Sequence, residues 1–114
     1  RDGISVVLAL VDVDHFKRFN DRYGHAAGDN ALRGIAIELE QTARRPMDAV
    51  ARLGGEEFCI LLFDSDIESA TTILDDLRLR VATRSFPGTD GVTISIGATL
   101  FSPGDDLLVL YERA

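Results

Sequence analysis

The sequence predicts an α/β fold, an α+β sandwich whose helices flank a mixed, mostly antiparallel central sheet with a β-hairpin. Three observations carry this prediction. Residues 4–13 are nearly unbroken apolar. Two further apolar runs flank Gly54-Gly55. Residues 29–44 and 66–84 place apolar side chains at helical spacing.

Ile4 to Val13 is rich in β-branched residues, as in a central strand covered on both faces. It ends in Asp12-Val13-Asp14-His15, and on a strand Asp12 and Asp14 share a face. Phe16 to Arg22 reads as a short helix stopped at Tyr23-Gly24. A strand running straight into a helix leaves backbone N–H groups aimed at one spot, which suits phosphate. Lys17 adds a mobile cation there, although an isolated pair such as Lys17-Arg18 is usually no more than a solvated helix face. His25 to Asp29 reads as a loop with Asp29 as N-cap. Leu32, Ile35, Ala36, Leu39 and Ala43 give helix 29–44 its core face, and Pro46 ends it.

Asp48 to Arg52 is expected to be a strand, and Gly54-Gly55 a tight hairpin turn reached through positive φ. Residues 57–63 form the returning strand. Ser65-Asp66-Ile67-Glu68 has a capping-box pattern, and Ala70, Ile73, Leu74, Leu77 and Val81 trace the stripe of helix 66–84. Val92 to Ala98 alternates as a strand with one less apolar face. Pro103-Gly104 turns the chain, and Leu107, Leu108 and Tyr111 begin a last helix. The predicted order is β-α-α-β-β-α-β.

At 114 residues the chain is one domain at most, long enough to bury about two-thirds of its unfolded surface. Its 19 acidic residues against 12 basic ones give a net charge of −7. That argues against non-specific nucleic-acid binding and against contact with an anionic membrane. It leaves room for a nucleotide carried with Mg²⁺, because the metal inverts the local field. The single cysteine, Cys59, allows no intrachain disulfide and fits the cytoplasm. No uncharged apolar run approaches the roughly 20 residues of a membrane span.

Glu56 and Glu57 sit at the mouth of a strand, where a hairpin needs no charge. Alone, the pair fits a solvated strand end as well as a site. The second acidic cluster, Asp12-Val13-Asp14, also lies at a strand end, and two such clusters brought together hold a metal.

The stretch from Val11 to Asp29 (VDVDHFKRFNDRYGHAAGD) resembles the GGDEF domain of bacterial diguanylate cyclases. Arg52-Leu53-Gly54-Gly55-Glu56-Glu57-Phe58 resembles that family's signature loop in its Glu-Glu form, and Thr93-Ile94-Ser95-Ile96-Gly97 its later strand motif. The resemblance runs over nearly the whole chain and implies a nucleotide-cyclase, palm-like fold. It implies that two GTP molecules, one on each of two facing domains in a homodimer, condense to cyclic di-GMP and two pyrophosphates.

Carried over by position, Asp12 and the Val13 carbonyl are metal ligands. Glu56 is the facing carboxylate and the proton acceptor, and Glu57 assists. The implied cofactor is Mg²⁺, two per active site, with Mn²⁺ as a substitute. Lys17 stabilises charge on the phosphates, and the backbone around Phe16 cradles them. Gly54 and Gly55 approach the substrate. Asn20 and Asp29 read guanine, with His25 beside them. Asp14 is either part of the site or a structural group at the strand end.

Arg45-Pro46-Met47-Asp48 resembles the family's Arg-x-x-Asp inhibitory site, at which cyclic di-GMP binds as product. A cation at a helix C-terminus accounts for Arg44 and Arg45 but not for Asp48. Leu53 and Phe19 depart from the family's usual aromatic and aliphatic residues, as packing changes. The family's N-terminal helix, and the C-terminal helix whose Lys and Arg grip the phosphates, are not represented. The chain, residues 1–114, is therefore expected to be the catalytic core of a longer protein, one that an upstream segment could tether to a membrane.

Two other functions compete. A module that binds GTP or cyclic di-GMP without turnover usually loses the signature loop or the metal Asp, and both are intact here. A generic metal-dependent nucleotidyl transferase explains the two acidic clusters but not Asn20, Asp29 and the Arg45/Asp48 motif together.

Overall fold

A computed structural model describes residues 5–101. The elements run β1 (Val6–Val13), α1 (Phe16–Tyr23), α2 (His25–Thr42), β2 (Ala49–Arg52), β3 (Glu57–Phe63), α3 (Ile67–Thr83) and β4 (Ile94–Phe101). This is the order read from the sequence. The strands form one sheet in the order β2-β3-β1-β4, and all three pairings are antiparallel. The expected turn at Pro103-Gly104 and the helix from Leu107 lie outside the described residues.

β1 lies inside the sheet because both its faces are apolar. Val7, Ala9, Val11 and Val13 are at most 1% exposed. The register sets Val11 opposite Phe58 on β3 and Ile96 on β4, so those strands add Phe58, Ile60, Leu62, Ile94 and Ile96 to the same face. Ile35 and Leu39 of α2 and Leu77 and Val81 of α3 complete this core. The other face carries Leu8, Leu10, Cys59 and Leu61 and ends in the polar row Glu57, Asp12 and Ser95. That alternation puts the acidic groups at one end of the sheet, beyond the last buried layer.

Several local expectations are corrected. α2 begins at His25 rather than Asp29, with Gly24 as its N-cap at φ +91°. Asp29 is therefore an exposed residue in the helix body, not a cap. Gly28 reads as loop punctuation, but it is a buried helical residue against which Asn20 and Phe16 press. The helix ends at Thr42, before Pro46 can stop it. Asp66, not Ser65, caps α3: its carboxylate accepts from Ser69 N at 2.7 Å.

The Gly-Gly turn is wider than a two-residue hairpin. Arg52 pairs with Phe58, so residues 53–57 make the connection. The N–H groups of Leu53 and Gly54 both donate to the Glu57 carbonyl, at 2.8 and 3.3 Å. Neither Gly54 nor Gly55 adopts positive φ, since a longer loop needs no mirror-image turn. The last strand starts at Ile94, not Val92. Val92 and Phe86 are buried ahead of it and fill the core instead.

Candidate active site

The two acidic motifs meet where β1 and β3 end together. Asp12 stands directly opposite Glu57 in the antiparallel register. One step further, Val13 N–H donates to the Glu56 carbonyl at 3.2 Å. Asp12 and Glu57 are exposed and Glu56 is partly buried. The backbone thus joins the two stretches that the sequence separates by more than 40 residues.

This donor set matches Mg²⁺ in kind. The ion prefers hard oxygen ligands, and it usually takes one or two protein carboxylates and completes its octahedron with waters and substrate phosphates. The paired strand ends set Asp12 opposite Glu57, and the backbone bond from Val13 to Glu56 brings a third acidic residue to the same end of the sheet. Among the described residues, no three His, Cys, Asp or Glu side chains cluster into an all-protein cage.

Asp14 has its own partners. Its two carboxylate oxygens accept from Thr93 Oγ1 at 2.7 Å and Ser95 Oγ at 2.5 Å, tying β1 to β4. Burial pushes its carboxyl up. The hydrogen bonds from Ser95 and Thr93, with the charge of His15, outweigh that and hold it below the ordinary carboxylate value. Both oxygens are engaged in holding the strand end.

His15 turns the chain from β1 into α1 with φ 54°, in the left-handed region that non-glycine residues seldom occupy. Among the described residues, no side chain caps the first turn of α1. Its N–H groups begin at Phe16, which is buried, and Lys17, which is exposed. Strand end, left-handed turn and uncapped helix start therefore follow one another directly.

Asn20 lies against α2. A Cβ built on Gly28 would overlap Asn20 Oδ1, so only glycine leaves Asn20 in this position. Asn20 Oδ1 is buried with no hydrogen-bond partner among the described residues. Such an orphaned acceptor is costly unless something outside the chain supplies a donor. Asp29 follows Gly28 directly, and His25 opens the same helix; both are exposed.

Arg45 and Asp48 are not brought to this end. Asp48 Oδ1 accepts from Phe63 N at 2.8 Å, and Phe63 is the last residue of β3 whereas Glu57 is the first. Arg45 Nη1 donates to the carbonyls of Phe63 (2.6 Å) and Asp64 (2.9 Å), and Asp48 Oδ2 accepts from Arg45 N at 3.2 Å. A cavity of about 390 Å³ adjoins them, lined also by Arg44, Ser65, Asp76 and Arg80. Arg45 is thus not simply a cation at a helix C-terminus.

Sequence reasoning missed two sets of residues. Glu38 is 8% exposed, and its carboxylate accepts from Arg80 and Arg84, which join α2 to α3. Its signal was a charge inside an apolar helical stripe. Arg52 donates to the carbonyls of Gly54 and Gly55. Its signal was a long cation two residues before a glycine pair.

The family model described as diguanylate cyclase, GGDEF domain, matches residues 1–114. Diguanylate cyclase DgcP of Pseudomonas aeruginosa is 41% identical over 117 residues, covering 100% of this chain and 17% of that protein. DgcM of Escherichia coli is 39% identical, covering 93% of this chain and 26% of that protein. The chain thus spans 17–26% of the length of these curated relatives. Among solved structures, the GGDEF domain of DgcB from Caulobacter crescentus in complex with c-di-GMP superposes with a TM-score of 0.87 at 34% identity. That match covers 98% of this chain and 68% of that one. The diguanylate cyclase SiaD of Pseudomonas aeruginosa, solved with its activator SiaC, reaches 0.90 at 39% identity, covering 100% of this chain and 45% of that one. The protein belongs to the GGDEF family of diguanylate cyclase domains.

Proposed function

We propose that residues 1–114 are the catalytic core of a diguanylate cyclase within a longer cytoplasmic or membrane-tethered protein. Two copies face each other, each carrying one GTP. The 3′-hydroxyl of each GTP attacks the α-phosphate of the other. Two P–O bonds form, two bonds to pyrophosphate break, and cyclic di-GMP results. The observation that carries this reading is the register that sets Asp12 opposite Glu57 and ties Val13 to Glu56.

Glu56 accepts the proton of the attacking hydroxyl, and Glu57 supports the anionic cluster beside it. Asp12, the Val13 carbonyl and Glu56 would hold Mg²⁺. Bound there, the metal supplies charge neutralisation at the phosphates and lowers the pKa of the hydroxyl. The uncapped start of α1 at Phe16 receives phosphate oxygens on backbone N–H groups, and Lys17 adds its charge. Asn20 reads the guanine edge with its side-chain amide, whose Oδ1 has no hydrogen-bond partner among the described residues and turns from Gly28 toward the base. Asp29 offers a second acceptor, with His25 alongside. Gly54 and Gly55 let the nucleotide approach the hairpin backbone: a Cβ on Gly55 would meet nothing within 4 Å. Arg45 and Asp48 bind the product cyclic di-GMP and slow turnover.

The test is to incubate the longer parent protein with GTP and Mg²⁺ and assay cyclic di-GMP and pyrophosphate, with Glu56→Gln alongside. Turnover by the parent that is lost in the variant supports the reading. Binding of GTP without product would make the domain a regulatory module.

A further inference from the structure

Arg52 ends the edge strand β2 and is exposed. Its side chain does not extend into solvent but folds over the loop that follows. Nε donates to the Gly54 carbonyl at 3.0 Å, and Nη2 donates to the Gly55 carbonyl at 2.7 Å. The Gly55 carbonyl belongs to the peptide that enters Glu56. The peptide that leaves Glu56 is held from the opposite side, since its carbonyl accepts from Val13 N–H on β1 at 3.2 Å. Both peptide planes flanking Glu56 are therefore anchored. A peptide is planar, so anchoring both planes restricts φ and ψ of Glu56 and with them the direction of its Cα–Cβ bond.

The loop has little other stiffness at that point. Two successive glycines give the backbone its greatest freedom. Among the described residues, the remaining loop hydrogen bonds, from Leu53 and Gly54 N–H, converge on Glu57 and leave Gly55 to Arg52. A guanidinium is well matched to such a loop. Its planar fork reaches two successive carbonyls with charge-assisted hydrogen bonds, whereas an ammonium offers a single point charge.

We propose that Arg52 is a positioning residue that aims Glu56. It pins the outer side of the signature loop while β1 pins the inner side. This rests on the reading of Glu56 as the proton-accepting carboxylate. Arg52 itself touches no reacting atom.

The experiment uses the longer parent protein and the variants Arg52→Ala, Arg52→Lys and Glu56→Gln. Backbone hydrogen exchange is measured without nucleotide, and kcat and KM for GTP with Mg²⁺. Arg52→Ala is expected to speed exchange of the Leu53 and Gly54 amides about tenfold, with the Val13 amide unchanged. Its kcat is expected to fall about 10- to 100-fold, the scale of a misplaced catalytic group, while KM stays within about threefold. Arg52→Lys, which keeps one hydrogen bond, is expected to lie between Arg52→Ala and wild type. Wild-type kcat in Arg52→Ala, or unchanged loop exchange, overturns the proposal. So does a rise in KM alone, which would make Arg52 a substrate contact. If Glu56→Gln keeps its turnover, the function assigned to Glu56 fails instead, and the exchange measurement still decides whether Arg52 holds the loop.

Discussion

Asn20 and Gly28 are in such close apposition that a methyl group on Gly28 would overlap Asn20 Oδ1. One short helix and the start of the next are thereby keyed together, and the amide that faces the proposed guanine pocket takes its position from a glycine. Gly28→Ala forces Asn20 out of place. Overpacking of this kind costs about 1–3 kcal/mol. The expected outcome is a lower Tm together with loss of GTP preference over ATP in binding titrations. A site built on polar complementarity can discriminate by up to ~10⁴, so the loss is measurable. Retained preference would detach Asn20 from base reading.

The pairing of Asp12 with Glu57 yields a second prediction. Asp12→Asn and Glu56→Gln in the parent protein should nearly abolish turnover. Asp12 is exposed and Glu56 only partly buried, so stability should change by no more than about 0.5 kcal/mol. Cyclic di-GMP production and thermal melts of the same preparations check this together. Near-normal production by either variant removes that residue from the metal site.

The pH dependence of stability has a source far from the site. Hydrogen bonds to Asp66 from the backbone and side chain of Ser69 hold its carboxyl below the ordinary value of 3.8. A depressed carboxyl contributes stability that is present above the ordinary value and lost as pH falls through the depressed one. Asp66→Ala should therefore lower Tm at neutral pH, and the gap to wild type should close as the pH drops below 3.8. A gap independent of pH would mean that the cap acts without its charge.

Glu38 is the charge least expected from the sequence and among the most committed in the fold. Its buried carboxylate receives Arg80 from one turn of α3 and Arg84 just beyond the helix end. Removing Glu38 strands Arg84, while Arg80 keeps Asp76 and Thr42 as partners. Both arginines are about one-third exposed, so Glu38→Ala should cost roughly 2–3 kcal/mol, less than a fully buried pair. Chemical denaturation measures this, and GTP turnover per folded molecule should be unchanged. A loss under about 0.5 kcal/mol would show water replacing the carboxylate.

The strands were legible because local chemistry decides them. β-Branched residues and alternation set β1 and β3, and the two glycines marked the connection between β2 and β3. The acidic motifs were legible as motifs, but only the register joins Asp12 to Glu57. Two of the errors share a cause. Gly28 and the Gly54-Gly55 pair read as turn chemistry from local sequence, whereas Gly28 is set by a side chain from another helix. Contacts such as Arg80 to Glu38, separated by 42 residues, depend on how helices dock, and composition carries no trace of that. Arg45 shows the same limit: its spacing to Asp48 marked a product site, but nothing local says that its guanidinium reaches the end of β3.

That placement gives Arg45 two roles to separate. Its guanidinium holds the carbonyls of Phe63 and Asp64, and it borders the cavity beside Asp48 and Arg80. As the proposed product site it would also engage cyclic di-GMP, through guanine or phosphate. Arg45→Ala should weaken cyclic di-GMP binding by about 1–3 kcal/mol, the worth of a bidentate contact. It should also lower stability by about 0.5–1.5 kcal/mol through the lost carbonyl bonds, so melts must accompany calorimetry. Initial rates in GTP should hold, because Arg45 anchors at Phe63, the end of β3 away from Glu57. Progress curves should stay linear longer as product accumulates. Asp48→Asn is the second variant: its remaining carbonyl oxygen can still accept from Phe63 N, so the strand contact survives while the acceptor for guanine N–H groups loses its charge. Weaker product binding in both variants, with longer linear progress, places inhibition at this motif. Unchanged affinity in both would leave Arg45 and Asp48 as the clasp that closes β2 onto the far end of β3. Lost affinity with unchanged progress curves would mean that product binds there without favouring an inactive arrangement.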